Sequence, residues 1–205
     1  RDSLPADKRA AALARRTAVH TMVANTLSVP LRADSAETPF ALREIPRGHR
    51  RSEMEFNFSL QRNQSQSVSG LASILAEHWK GPVHGSARNE EFIADLATRG
   101  ASIPQGFMTG FIDLVFQHNG RFYVVDWKSN RLNGRADGFG PEGMAAEMRK
   151  HSYYLQYLIY VVALHGFLSG KLAGYDYDRH IGGVFYLFLR GIDGKSPNGV
   201  FSDKP

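Results

Sequence analysis

Between Gly106 and Ser129 two apolar runs, Phe107 to Gln117 and Phe122 to Lys128, are joined by His118-Asn119-Gly120-Arg121. Asn-Gly between β-rich runs is the strongest short-range hairpin signal, because a type I′ turn needs positive φ at both central residues. The turn also sets the register. His118 then faces Arg121, Phe116 faces Tyr123, Val115 faces Val124 and Asp113 faces Asp126. Side chains alternate with period two along a strand, so Asp113, Asp126 and Lys128 are expected on one face of the hairpin.

Directly opposed strand residues bring their Cβ atoms to roughly 4.5 to 5.5 Å, where two like charges destabilise the pair. A divalent cation would offset that repulsion, since Mg²⁺ takes oxygen ligands and is commonly held by one or two carboxylates with water and phosphate. Lys128, two residues past Asp126, would place an ammonium beside the same pair, where it could orient a water or offset charge growing on a phosphate. The ordinary fate of a strand aspartate is to face solvent with a lysine as salt-bridge partner. Here, however, Asp113 interrupts Gly110-Phe111-Ile112-Asp113-Leu114-Val115-Phe116 and Asp126 lies in Tyr123-Val124-Val125-Asp126-Trp127, runs that are apolar on both faces. A charge in such a run needs a partner or a metal.

The remainder of the chain reads as one mixed α/β domain over 1–205, with a helical lead-in over 1–50 and a core over 51–193. Ala6 to Thr26 has helix-forming composition, and Glu53 to Leu60 alternates as a half-buried strand does. Val68 to Trp79 and Asn89 to Thr98 carry apolar residues at helical spacing, while Gln61 to Ser69 and Gly81 to Ser86 are loops by composition. Arg131 to Gly143 reads as a Gly-rich loop, Met144 to Leu168 as one long helix and Gly182 to Leu189 as a further strand. No phosphate-binding GxxxxGK[ST] loop is present. The absence of cysteine removes disulfides and thiolate metal sites and suits a reducing interior, so a cytoplasmic protein without membrane contact is expected. A start without methionine and an abrupt end at Pro205 suit a fragment of a larger protein, and a formal charge of +5 leans toward a polyanionic partner.

These residues resemble a known family. Gly110 to Phe116 followed by Val125-Asp126-Trp127-Lys128-Ser129-Asn130 is similar to the PD-(D/E)xK nuclease signature. Leu155-Gln156-Tyr157-Leu158-Ile159-Tyr160 resembles the QxxxY motif of its RecB-type branch, the C-terminal nuclease domain of exodeoxyribonuclease V beta subunits, and His180 to Gly191 resembles the terminal strand of that domain. The resemblance implies a restriction-endonuclease-like α/β fold, a central mixed sheet with a catalytic hairpin flanked by helices. It implies a Mg²⁺-dependent deoxyribonuclease, with Mn²⁺ as the other candidate ion, working on DNA within a helicase complex with RecC-like and RecD-like subunits in double-strand break repair and recombination. By position, Asp113 and Asp126 would hold the metal and Lys128 would be the catalytic lysine. An acidic residue on the preceding strand completes the family pattern. Glu53 is the choice, with Glu55 on the same expected strand face close behind.

Gln156 and Tyr160 lie one helical turn apart and by resemblance point at the active site or the DNA strand. The branch also uses an upstream histidine ligand in a Gly-rich helix start. His20 lacks that setting and reads as a surface residue, and His49, His78, His84, His118, His151, His165 and His180 have no paired spacing for zinc. Arg131, Arg135 and Arg149 are arginines that could meet a DNA backbone. Two other readings stand beside the nuclease: an inactive nuclease fold serving as a DNA-binding or subunit-docking module, and a small-molecule metallohydrolase.

Overall fold

The computed structural model describes residues 6–34, 36–60, 67–78, 86–99, 106–132 and 136–205. In chain order these form α1 (Ala6–Ser28), β1 (Arg50–Leu60), α2 (Val68–His78), α3 (Ser86–Ala97), β2 (Gly106–His118), β3 (Arg121–Lys128), α4 (Pro141–Lys150), α5 (Tyr153–Lys171), α6 (Tyr177–His180), β4 (Ile181–Phe188) and β5 (Val200–Asp203). The five strands make one sheet in the order β1-β2-β3-β4-β5. Only the β3–β4 pair is parallel. This mixed sheet with flanking helices is the expected fold class. The loops read over Gln61 to Ser69 and Gly81 to Ser86 fall largely outside the described residues, as do Trp79, His84 and Arg135.

The hairpin forms as its turn residues dictate. Asn119 and Gly120 both take positive φ, 48° and 78°. His118 pairs with Arg121, Phe116 with Tyr123 and Val115 with Val124, and the ladder runs on to Leu114 opposite Val125. It stops there, one residue short of the expected Asp113–Asp126 pair. The β1–β2 ladder is interrupted at the same level: Ser52 pairs with Leu114 and Met54 with Ile112, while Glu53 between them has φ 49°. Left-handed backbone is costly for a residue with a Cβ. It turns the strand over here, for Ser52 lines a cavity with Leu114 and Phe116 whereas Met54 packs under α5. The simple alternation that would put Glu53 and Glu55 on one face does not hold through this point.

The sheet separates two apolar layers. On one face Met54, Ile112, Val115, Val124, Tyr186 and Phe188 pack with Tyr157, Val161 and Leu164 of α5 and with Phe92 of α3. On the other, Leu114, Phe116, Tyr123, Val125, Phe185 and Leu187 are covered by Val29, Leu31, Phe40, Leu42 and Ile45. The sheet core thus draws on residues on both sides of 51–193. All eight residues of β4 are buried, as befits a central strand covered on both faces. Its start is bulged: Phe122 pairs with Ile181 but Tyr123 with Gly183, leaving Gly182 over. A Cβ on Gly182 would stand 2.3 Å from the Tyr123 ring, so only glycine lets that ring lie flat on the strand.

The single helix expected over Met144 to Leu168 is two. Ser152 adopts the left-handed conformation, φ 55° and ψ 31°, and separates α4 from α5. Helix also begins earlier than read, at Pro141 inside the expected Gly-rich loop, where proline sits at a first-turn position whose amide has no helical partner. The break lets α4 lie against β5 while α5 crosses β1 and β3.

In the second turn of α5, the Tyr157 hydroxyl donates to Oδ2 of Asp203 at 2.5 Å, and Asp203 is 4% exposed on β5. Burial, and then the Asp203 charge, hold the Tyr157 phenol well above its ordinary pKa. Tyr157→Phe removes a donor from a buried carboxylate, which costs about 2 kcal/mol. Urea unfolding of the variant is expected to show that loss with an unchanged m-value; equal stability would mean the bond contributes nothing net.

Candidate active site

Asp113, Asp126 and Lys128 come together where the ladders part. Asp113 Oδ2 accepts the backbone N–H of Trp127 at 2.9 Å, so its carboxylate takes up a strand amide beyond the last β2–β3 backbone pair. Asp126 is 3% exposed and Lys128 9%. The Lys128 ammonium lies 2.7 Å from Asp126 Oδ2. Burial raises the Asp126 pKa and the nearby Asp113 charge adds to this, against the lowering effect of hydrogen bonds from Lys128 and Tyr160. Burial, the largest of these effects, disfavours the charged carboxylate, and the Lys128 ammonium works against it.

The α5 residues close over this pair. Lys128 Nζ donates to Gln156 Oε1 at 3.0 Å, the Tyr186 hydroxyl donates to the same oxygen at 3.0 Å, and Gln156 Nε2 donates to the Tyr160 hydroxyl at 2.9 Å. These contacts fix the amide orientation, because a flipped Gln156 would point its NH₂ at an ammonium that can only donate. Tyr160, 8% exposed, has its pKa pushed up to about 12, first by burial and then by the Asp126 and Asp113 charges. Gln156 and Tyr160 thus face the Asp126–Lys128 pair. Tyr186 was not singled out from sequence; it stands opposite Asp126 in the parallel β3–β4 register. That register pairs residues far apart in the chain, so no local pattern marks Tyr186. Tyr153, whose ring centroid is 3.7 Å from Lys128 Nζ, had a signal: it precedes Gln156 by three residues on one helix.

Glu53 is not gathered with the other carboxylates. It is exposed on β1, and among the described residues no three His, Cys, Asp or Glu side chains converge. Its backbone, turned at positive φ, does not continue the alternation that would carry it to the Asp113 side. The donors that remain are hard oxygens, Asp113 and Asp126, and one or two carboxylates with water and phosphate are what Mg²⁺ ordinarily takes from a protein. Asp113 and Asp126, close enough for the charge of one to act on the other, fit such an ion. His20 is exposed on α1. Arg131 is exposed, whereas Arg149 is ion-paired with Glu91.

A family model described as the PD-(D/E)XK nuclease superfamily matches residues 2–203. The chain belongs to the PD-(D/E)XK nuclease superfamily. It is 35% identical over 180 residues to the RecBCD enzyme subunit RecB of Escherichia coli K12, covering 87% of this chain and 14% of that protein. It is 50% identical over 101 residues to RecB of Haemophilus influenzae, covering 49% of this chain and 8% of that one. With RecB of Mycobacterium tuberculosis H37Rv the identity is 34% over 184 residues, 83% of this chain and 17% of the relative. The chain therefore spans less than a fifth of the length of each of these relatives. The nuclease domain resemblance read from the hairpin and the QxxxY motif is that of this superfamily and of these RecB proteins. Among the described residues no helix is long and apolar enough to cross a membrane.

Proposed function

We propose that this PD-(D/E)XK chain is one deoxyribonuclease domain over 1–205 that hydrolyses phosphodiester bonds with Mg²⁺, Mn²⁺ being the alternative ion. The observation that carries the reading is the buried Asp126–Lys128 pair, backed by Asp113 and closed by Gln156 and Tyr160. A scaffold has no use for two neighbouring carboxylates and an ammonium at the level where two strand ladders stop. Asp113 and Asp126 would hold the cation, and Glu53 of β1 is the further ligand that the family pattern assigns. When bound, the cation supplies Lewis acidity toward the scissile phosphate and acidifies a water.

The protein's own groups do the rest. Lys128, held by Gln156 Oε1 and Asp126 Oδ2, presents fixed positive charge where negative charge grows in the transition state. Gln156 donates from Nε2 to Tyr160, which in turn steadies Asp126. Such a preorganised chain needs no rearrangement at the moment of reaction. The exposed Arg131 is available to a phosphate backbone. Similarity to RecB supports a place for the whole protein in a RecBCD-type helicase–nuclease of the cytoplasm, with RecC-like and RecD-like subunits and a role in break repair and recombination.

Cleavage of end-labelled linear single-stranded DNA tests the reading. Activity is expected with Mg²⁺, and EDTA is expected to abolish it until excess Mg²⁺ is restored. No cleavage with either ion, together with no heat of Mg²⁺ binding in calorimetry, would overturn it in favour of an inactive DNA-binding or docking module.

A further inference from the structure

Lys128 is held by more than oxygen. Its Nζ lies 3.7 Å from the ring centroid of Tyr153 and 5.0 Å from that of Tyr186. Ammonium groups are attracted to the electron-rich faces of aromatic rings, and most strongly when shielded from water, as the 10% exposed Lys128 side chain is. Tyr186 is fully buried in β4 and spends its hydroxyl on Gln156. Tyr153 is the first residue of α5 and is braced from outside the reacting groups. Its hydroxyl accepts from Asn130 Nδ2 at 3.3 Å, and the same amide donates to Glu147 Oε1 of α4 at 2.8 Å. His151, at the helix break, stacks on its ring with centroids 5.3 Å apart and also reaches Glu147 Oε1 at 3.0 Å.

Both oxygen partners of Lys128 have competing demands. Gln156 Oε1 already accepts from Tyr186, and under the proposed function Asp126 shares its carboxylate with a cation. An aromatic face, unlike those oxygens, is no ligand for a hard divalent cation.

We infer that Tyr153 is a positioning residue: resting on the nuclease reading, its braced ring keeps the Lys128 ammonium at the carboxylates when Asp126 turns to a cation. Asn130, Glu147 and His151 hold the ring in place. The ring, not the hydroxyl, does this, which separates two substitutions. Tyr153→Leu is expected to lower kcat on single-stranded DNA about tenfold with KM within about twofold, while Tyr153→Phe keeps most of the wild-type kcat. A residue that served only packing would change the melting temperature in Tyr153→Leu and leave the kcat to KM pattern alone.

A second readout does not depend on cleavage. With ¹³C-labelled lysine, the Lys128 ε-CH₂ signal, assigned by its loss in Lys128→Met, is expected to be ring-shifted in the wild type and in Tyr153→Phe. In Tyr153→Leu it should move toward the other lysines. An unmoved Lys128 signal in Tyr153→Leu, or a folded Tyr153→Leu enzyme with wild-type kcat, overturns the inference. A wild-type chain that cleaves nothing overturns the nuclease reading instead, and an unmoved Lys128 signal in Tyr153→Leu would still show that the ring does not lie against the ammonium.

Discussion

Asp126→Asn is expected to lower DNA cleavage by at least about a thousandfold while leaving the chain folded. Asparagine keeps the shape and an oxygen that can still accept from Lys128, so the Gln156–Lys128 contact survives. What disappears is the negative charge that a cation would bind. The substitution also relieves the proximity of two carboxylates, one of them 3% exposed. Burst-free turnover of a 5′-labelled single strand, read beside a circular-dichroism melt, checks both halves. Substantial residual cleavage in a well-folded Asp126→Asn would remove this carboxylate from the reaction and place the chemistry elsewhere.

The second large effect is on Lys128. Lys128→Met preserves the buried stem and deletes the charge, with an expected loss of about 10²- to 10³-fold in kcat, the scale for removing one preorganised donor from a developing oxyanion. It should also weaken the fold by about 3 kcal/mol, because it leaves the Asp126 carboxylate buried without its counter-charge. Asp126→Asn in the Lys128→Met background should return most of that stability and none of the activity. Chemical denaturation of the wild type, both single variants and the double variant gives the coupling directly. Simple additivity of the two stability changes would show that the 2.7 Å pair is not energetically linked.

Local signals made the centre of this molecule legible. Asn119-Gly120 specifies its own turn, and the turn carries the register to Leu114 and Val125 without help from the rest of the chain. Asp126 and Lys128 then follow by alternation, and Gln156 and Tyr160 by helical spacing. Where the structure departs from the expectation, the cause is distant in sequence. Glu53 takes positive φ at the level where its neighbour β2 carries Asp113, and no pattern within Glu53 to Leu60 announces that turn. Tyr186 meets Asp126 through a parallel pairing across 60 residues. Val29, Leu31, Phe40, Leu42 and Ile45 follow no single period because they cover the sheet from a short bridge and a 3₁₀ turn, and β5 is only four residues long. Ser152 shows the same limit within one segment, since periodicity ran smoothly through a position that tertiary packing requires to be left-handed.

That one left-handed residue also decides how far a change in chain length carries. An α-helix turns about 100° per residue, so one residue added between Gln156 and Tyr160 would swing Tyr160 off the face that Gln156 shares with Lys128. A residue added within α4 ends at the break, where the rotation of α5 starts afresh. The Gln156–Tyr160 face thus keeps its register whatever happens before Ser152, whose side chain meets Arg99 and none of the carboxylates, whereas a residue added in α4 is felt by its own buried face, Met144 and Met148.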